Sequence, residues 1–196
     1  MFEPSPPPPL TLALFAFVPS FSGRDDYAQA CARADLVVSL GGCDLEELAA
    51  ILPPGKPALC VLGPRDPREA PPPFRVLHGN GFNFRGWRVA GLSGAPLVGR
   101  QATGNFISEL DAAALLEPLP ACDIFLTHAA PGGIDELAPA GGYARHGLVS
   151  IFEYVRNKAP IYHFWASPES EAAHEFDETI TIGVCGELLT PPLQYF

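Results

Sequence analysis

Residues 122–137 read CDIFLTHAAPGGIDEL. Ile124, Phe125 and Leu126 form a short β-prone apolar run that leads into Thr127 and His128, and Pro131-Gly132-Gly133 then marks a loop. A short apolar run bounded by turn residues reads as a strand buried on both faces. Strand ends in open α/β sheets are where sites are built, so His128 is the first candidate for chemistry. The plainer alternative is a satisfied Thr127–His128 pair at a strand end, with no catalytic ancestry.

The neighbouring segments follow one pattern. LTLALFAFV (10–18), DLVVSLGG (35–42) and PALCVLG (57–63) are further buried strands. Continuous apolar runs of this kind belong to sheets covered on both faces. RDDYAQACARA (24–34) has helical spacing, and DLEELAAIL (44–52) reads as a short helix capped by Asp44 and stopped by Pro53. Residues 75–94 read as two short strands around Gly79-Asn80-Gly81. Residues 107–119 and 148–157 read as helices, and 160–166 and 178–186 as strands. Strands alternating with helices early and again late, with a hairpin between, predict an α/β fold. The expected organisation is a Pro-rich mobile lead-in over 1–10 and one domain over 11–196.

Composition narrows the class. The 196 residues are 47% hydrophobic and 17% charged, which is globular rather than disordered. Twelve Lys and Arg against 22 Asp and Glu give a formal charge of −10. That balance speaks against nucleic-acid and anionic-membrane partners, which need excess positive charge. No secretory leader and no apolar run of membrane-spanning length is apparent. Five cysteines without a CxxC pair read as free thiols, as expected in the cytoplasm.

The order of strand ends resembles the calcineurin-like metallophosphoesterase family, from about residue 12 to 186. Five segments carry the resemblance in order: FAFVPSFSG, DLVVSLGG, CVLGPRD, DIFLTHAAPGG and IYHFWASPES. WRVAGLSG and RHGLVSIFEYVRNKAP match recurring family segments as well. The resemblance implies a two-sheet α/β sandwich. In the family, Asp, Asn and His side chains at these ends hold two metal ions that activate a water for attack on phosphorus.

Most of those ligands are replaced here. Val18 and Ser20 stand at the first Asp-x-His, and Gly42 stands at the Asp of Gly-Asp. Pro64 and Arg65 stand at the metal-binding Asn and catalytic His, while Asp66 keeps the acid that follows. Trp165, Ala166 and Pro168 stand at the last Gly-His-x-His. His128 alone survives among the expected ligands. The resemblance therefore implies a vestigial site of His128, Asp66, Arg65 and Ser20, and no metal cofactor. If the chain is active, it is a phosphoric ester hydrolase that uses Mn, Fe or Zn.

Other residues offer little. His78, His146, His163 and His174 make no HxH or HxxxH pair, so no conventional zinc site is expected. GLSG (91–94) lacks one Gly of the nucleophile elbow, and nothing near Cys43 supplies a positive field. Arg65 and Arg68 are candidates, with His128, for holding a small anionic ligand. Three functions stay open. The first is a non-catalytic protein that binds a protein partner or ligand, with Phe82, Phe84, Trp87, Tyr195 and Phe196 as candidate surface aromatics, some of which belong to the core. The second is a residual phosphoesterase with an atypical site, using a single metal near His128 and Asp66 or none. The third is a structural subunit of a homo-oligomer.

Overall fold

The computed structural model describes residues 6–97, 103–133, 147–168 and 171–195. They form an α/β fold of two mixed sheets packed face to face, with helices on both outer faces. The first sheet holds β1 (Leu12–Ala16), β2 (Leu36–Ser39), β3 (Ala58–Cys60), β4 (Phe74–Val76) and β13 (Gly186–Leu189), in the order β13-β1-β2-β3-β4. β1 to β4 are parallel, and β13 closes one edge antiparallel to β1. The second sheet holds β5 (Asn80–Phe84), β6 (Trp87–Leu92), β9 (Ile124–Thr127), β10 (Tyr162–Ala166), β11 (Ala172–Phe176) and β12 (Thr179–Val184). Its order is β11-β12-β10-β9-β6-β5, with a parallel centre and antiparallel edges. A two-residue ribbon of β7 (Ala95–Pro96) and β8 (Phe106–Ile107) follows β6.

Side-chain alternation sorts residues into three apolar layers, because successive strand residues face opposite ways. Leu12, Leu14, Leu36 and Val38 meet Val89, Ile124, Leu126 and Phe164 between the sheets. Ala13, Phe15, Val37 and Cys60 point outward onto α1 (Asp25–Arg33) and α2 (Leu45–Ile51). On the other side, Ala90, Leu92 and Phe125 lie under α3 (Glu109–Leu116) and α4 (Val149–Lys158). Coverage on both faces explains why the central strands read as unbroken apolar runs. Asp44 caps α2 as expected, its Oδ1 accepting from the Glu47 amide at 3.0 Å.

Two local expectations are corrected. The hairpin turns at Arg85-Gly86, with φ of +51° and +89°, and not at Gly79-Asn80-Gly81. Positive φ at both central residues matches the right-handed strand twist. Trp87, expected among surface aromatics, is fully buried. Its indole Nε1 donates to the Pro8 carbonyl at 2.8 Å, and Tyr195 packs on it edge-to-face. Phe82 and Phe84 are half-buried, Tyr195 is exposed, and Phe196 lies outside the described residues. Within the stretch expected as a mobile lead-in, Leu10 is buried and bridges to Leu193. No helix among the described residues is long and apolar enough to cross a membrane. All five cysteines are free thiols.

Candidate functional site

The carboxyl ends of β1, β2, β3 and β9 converge at one end of the sandwich. His128 follows β9 and is buried there. Its imidazole is wedged between two backbone segments that allow no side chain. A Cβ built on Gly41 falls 2.5 Å from His128 Nδ1, and one built on Gly63 falls 2.5 Å from Cε1. Both are below any real Cβ contact, so glycine at these two positions makes the space for the ring. His128 Nδ1 lies 2.8 Å from the Leu40 carbonyl. A carbonyl can only accept, so Nδ1 carries the proton and Nε2 the lone pair. Burial lowers the imidazole pKa below its ordinary value, opposed by the Leu40 carbonyl and by Asp66.

Asp66 is turned inward beside it. Both of its carboxylate oxygens accept from the Gly42 amide, at 2.9 and 3.0 Å, and Oδ2 also accepts from the Gly63 amide at 2.7 Å. Burial raises its pKa, while the Gly63 and Gly42 amides and His128 pull it back down. The acid that survives at this strand end thus closes the loop 63–66 onto β2 through backbone hydrogen bonds.

The other sequence candidates lie apart from this pair. Ser20 donates to Glu47 Oε2 at 2.8 Å, and the same carboxylate accepts from the Phe21 and Ser22 amides. Val18 is buried and its carbonyl accepts from Asp44. Arg65 and Arg68 are exposed, and neither forms an ion pair among the described residues. Trp165 and Ala166 are buried in β10. Cys43 is buried, which pushes its thiol up to about 11 and leaves it a poor nucleophile. Ser93 donates to the Leu77 carbonyl and accepts from the Leu62 amide, so its hydroxyl is a strand clamp. His146 lies outside the described residues.

Two residues at the site carry no sequence signal of their kind. Phe17 has φ of +56°, a rare conformation for a bulky residue, and its ring meets His128 edge-to-face at 5.5 Å. The ring fits because Gly42 lacks a Cβ, which would sit 2.7 Å from it. Asn105 Nδ2 donates to the Gly63 and Asp66 carbonyls, both at 3.0 Å, and holds the 63–66 loop from above. Phe17 hides within an apolar run, and Asn105 within a segment with no periodicity.

The donor set does not suit a two-metal centre. Among the described residues, no three His, Cys, Asp or Glu side chains converge as a metal site would need. Asp66 already accepts from the Gly42 and Gly63 amides, and His128 offers one nitrogen.

No protein-family model and no curated protein matches this chain. Solved structures do share its fold. One crystal structure matches with a TM-score of 0.64 at 15% identity, over 91% of both chains. The crystal structure of TT1561 of Thermus thermophilus matches with a TM-score of 0.55 at 17% identity, over 91% of this chain and 90% of that one. At such identities the likeness shows the fold alone.

Proposed function

We propose that this chain is a calcineurin-like metallophosphoesterase-fold protein without catalysis, which acts by binding. The observation that carries this reading is the use made of Asp66 and His128. Hydrolysis through two metals needs several carboxylate, amide and imidazole lone pairs directed at the ions. Here the carboxylate of Asp66 closes a backbone loop, and with Nδ1–H on the Leu40 carbonyl the His128 imidazole has a single lone pair, on Nε2, to offer where two ions would need several ligands. Val18, Gly42 and Pro64 have no side-chain lone pairs to offer. The Phe17 ring packs edge-to-face on the imidazole. The same groups serve the fold: they tie the ends of β2, β3 and β9 together across the two sheets.

The test is metal content by elemental mass spectrometry on protein purified from medium supplemented with manganese, zinc and iron. The expected result is less than about 0.1 metal per chain, against the two ions the mechanism requires. Hydrolysis of p-nitrophenyl phosphate with added manganese should not exceed a protein-free control. One stoichiometric metal with phosphoester turnover overturns the reading and restores the residual phosphoesterase.

A further inference from the structure

Trp87 opens β6 at the end of the sandwich opposite His128: β6 pairs with β9 from Val89 to Leu92, and it is Leu92 that stands beside Thr127. The indole is fully buried, and part of what covers it is the chain's own proline run. Pro6, Pro7, Pro8 and Pro9 follow one another without a break. Each pyrrolidine ring fixes φ near the polyproline II value, and each pushes the residue before it to an extended conformation. The run is therefore preset as an extended left-handed helix whose carbonyls make no internal hydrogen bonds.

The run lies across an aromatic seat. Trp87 Nε1 donates to the Pro8 carbonyl at 2.8 Å. Tyr195 stands edge-to-face on the indole at 5.7 Å and is 41% exposed. Tyr162 lies tilted against the indole at 6.4 Å and holds the chain just before Tyr195: its hydroxyl donates to the Gln194 carbonyl at 3.2 Å and accepts from the Gln194 amide at 3.3 Å. Gly86, at φ of +89°, makes room for the Pro7 ring, since a Cβ there would fall 3.2 Å from Pro7 Cβ. Flat aromatic rings beside proline rings, with an indole N–H donating to a backbone carbonyl, are the means by which polyproline segments are recognised.

We propose that the seat formed by Trp87, Tyr195 and Gly86 is a polyproline-recognition site, which the chain covers with its own Pro7–Pro9 and which takes a proline-rich segment of a partner protein when that strap lifts. The occupant already in place names the class of ligand. The strap is also lightly held. Pro6, Pro8 and Pro9 are exposed and Pro7 is half-buried. Prolines have no N–H to donate, and among the described residues the Trp87 indole makes the one hydrogen bond to the carbonyls of this run. Firm attachment begins at Leu10, which is buried and exchanges backbone hydrogen bonds with Leu193 at 2.8 and 3.3 Å. The indole is a donor only, so it stays satisfied when the carbonyl of another chain replaces that of Pro8. An incoming proline-rich segment is preformed and loses little entropy on docking. In the isolated chain the strap competes at high effective concentration and keeps the site covered. The seat lies at the far end of the sandwich from His128 and Asp66, so metal analysis and peptide binding fail independently.

Fluorescence polarisation of a labelled synthetic peptide of residues 3–10, EPSPPPPL, tests it on the full chain. The wild type should bind the peptide weakly, because its own strap occupies the site. The variant Pro7→Gly/Pro8→Gly/Pro9→Gly keeps Leu10 and removes the polyproline bias. It should bind at least about tenfold more tightly, as a larger fraction of the chains becomes competent. The same peptide with alanine in place of its prolines should bind neither protein. In the strap variant, Tyr195→Ala, at an exposed position, should weaken binding several-fold. Trp87→Phe, which keeps apolar bulk and loses the indole N–H, should weaken it by about tenfold. A strap variant that binds no more tightly than the wild type overturns the proposal. So does equal binding of the alanine peptide, or binding that Tyr195→Ala leaves unchanged. A wild-type dimer in sedimentation velocity that the strap variant abolishes also overturns it, by assigning the seat to the lead-in of a second copy.

Discussion

Acidification is expected to destabilise this protein steeply between about pH 6.5 and pH 3, with His163 as the largest single contributor. His163 lies in β10 with no exposed surface, stacked on Phe125. Thr127 Oγ1 donates its one proton to the Ala129 carbonyl, so at 3.0 Å it must accept from His163 Nε2. The other nitrogen, Nδ1, is buried without a partner among the described residues. Protonating it would create a charge in the core, and burial accordingly lowers the pKa from 6.5 to about 3. The sign follows from proton binding. Between those values the unfolded chain takes up a proton that the folded chain refuses, so stability is present above the unfolded pKa and falls as pH drops. The slope is about 1.4 kcal/mol per pH unit, and the whole window amounts to roughly 4–5 kcal/mol.

Two neighbouring groups modify that curve. His128, also lowered by burial, adds to the acid loss. Asp66 works the other way, because its raised pKa gives stability that is present at low pH and lost as pH rises through the folded value. Urea denaturation at about pH 7, 5.5 and 4.5 reads the net slope. His163→Phe keeps the stacking on Phe125 and removes one titrating ring, so its stability should depend on pH less steeply than the wild type's. An unchanged slope in that variant would falsify the assignment to His163.

The central strands were legible because coverage on both faces writes itself as unbroken apolar sequence, and α2 because Asp44 is a capping residue placed before it. The edge strands β11 and β13 were not. β13 is half-buried along its whole length and β11 reads A-A-H-E-F, so neither shows clean alternation. Trp87 misled for a related reason: the groups that cover it, Pro8 and Tyr195, are 79 and 108 positions away in sequence. At the site, His128 stood out at a strand end, and Asp66 only through the resemblance to the phosphoesterase family. What they do could not be read, because their partners are the Leu40 carbonyl and the amides of Gly42 and Gly63, and backbone atoms leave no mark on composition. Phe17 shows the same limit, since a left-handed residue is readable when it is glycine and invisible when it is phenylalanine.

Gly63→Ala is expected to destabilise the protein by about 2–3 kcal/mol, against the usual direction for this substitution. Alanine for glycine normally stabilises, because it restricts the unfolded chain, wherever the native backbone permits it. Gly63 is not among the residues with positive φ, so its backbone conformation raises no objection. The obstacle is one contact. The new Cβ would fall 2.5 Å from His128 Cε1, 2.9 Å from Nδ1 and 3.0 Å from Nε2. The ring cannot retreat without cost, because Gly41 presses on its other side and Nδ1 is tied to Leu40. Crowding of this kind typically costs about 1–3 kcal/mol, and here it also strains a buried hydrogen bond. The double variant Gly63→Ala/His128→Ala separates this cause from any other. His128→Ala alone loses the Leu40 hydrogen bond and leaves a void, and a methyl group at position 63 would partly fill that void. The double variant should therefore be no less stable than His128→Ala alone, with a coupling of at least about 1 kcal/mol between the two positions. Simple additivity in the cycle would mean that the imidazole is not what Gly63 accommodates.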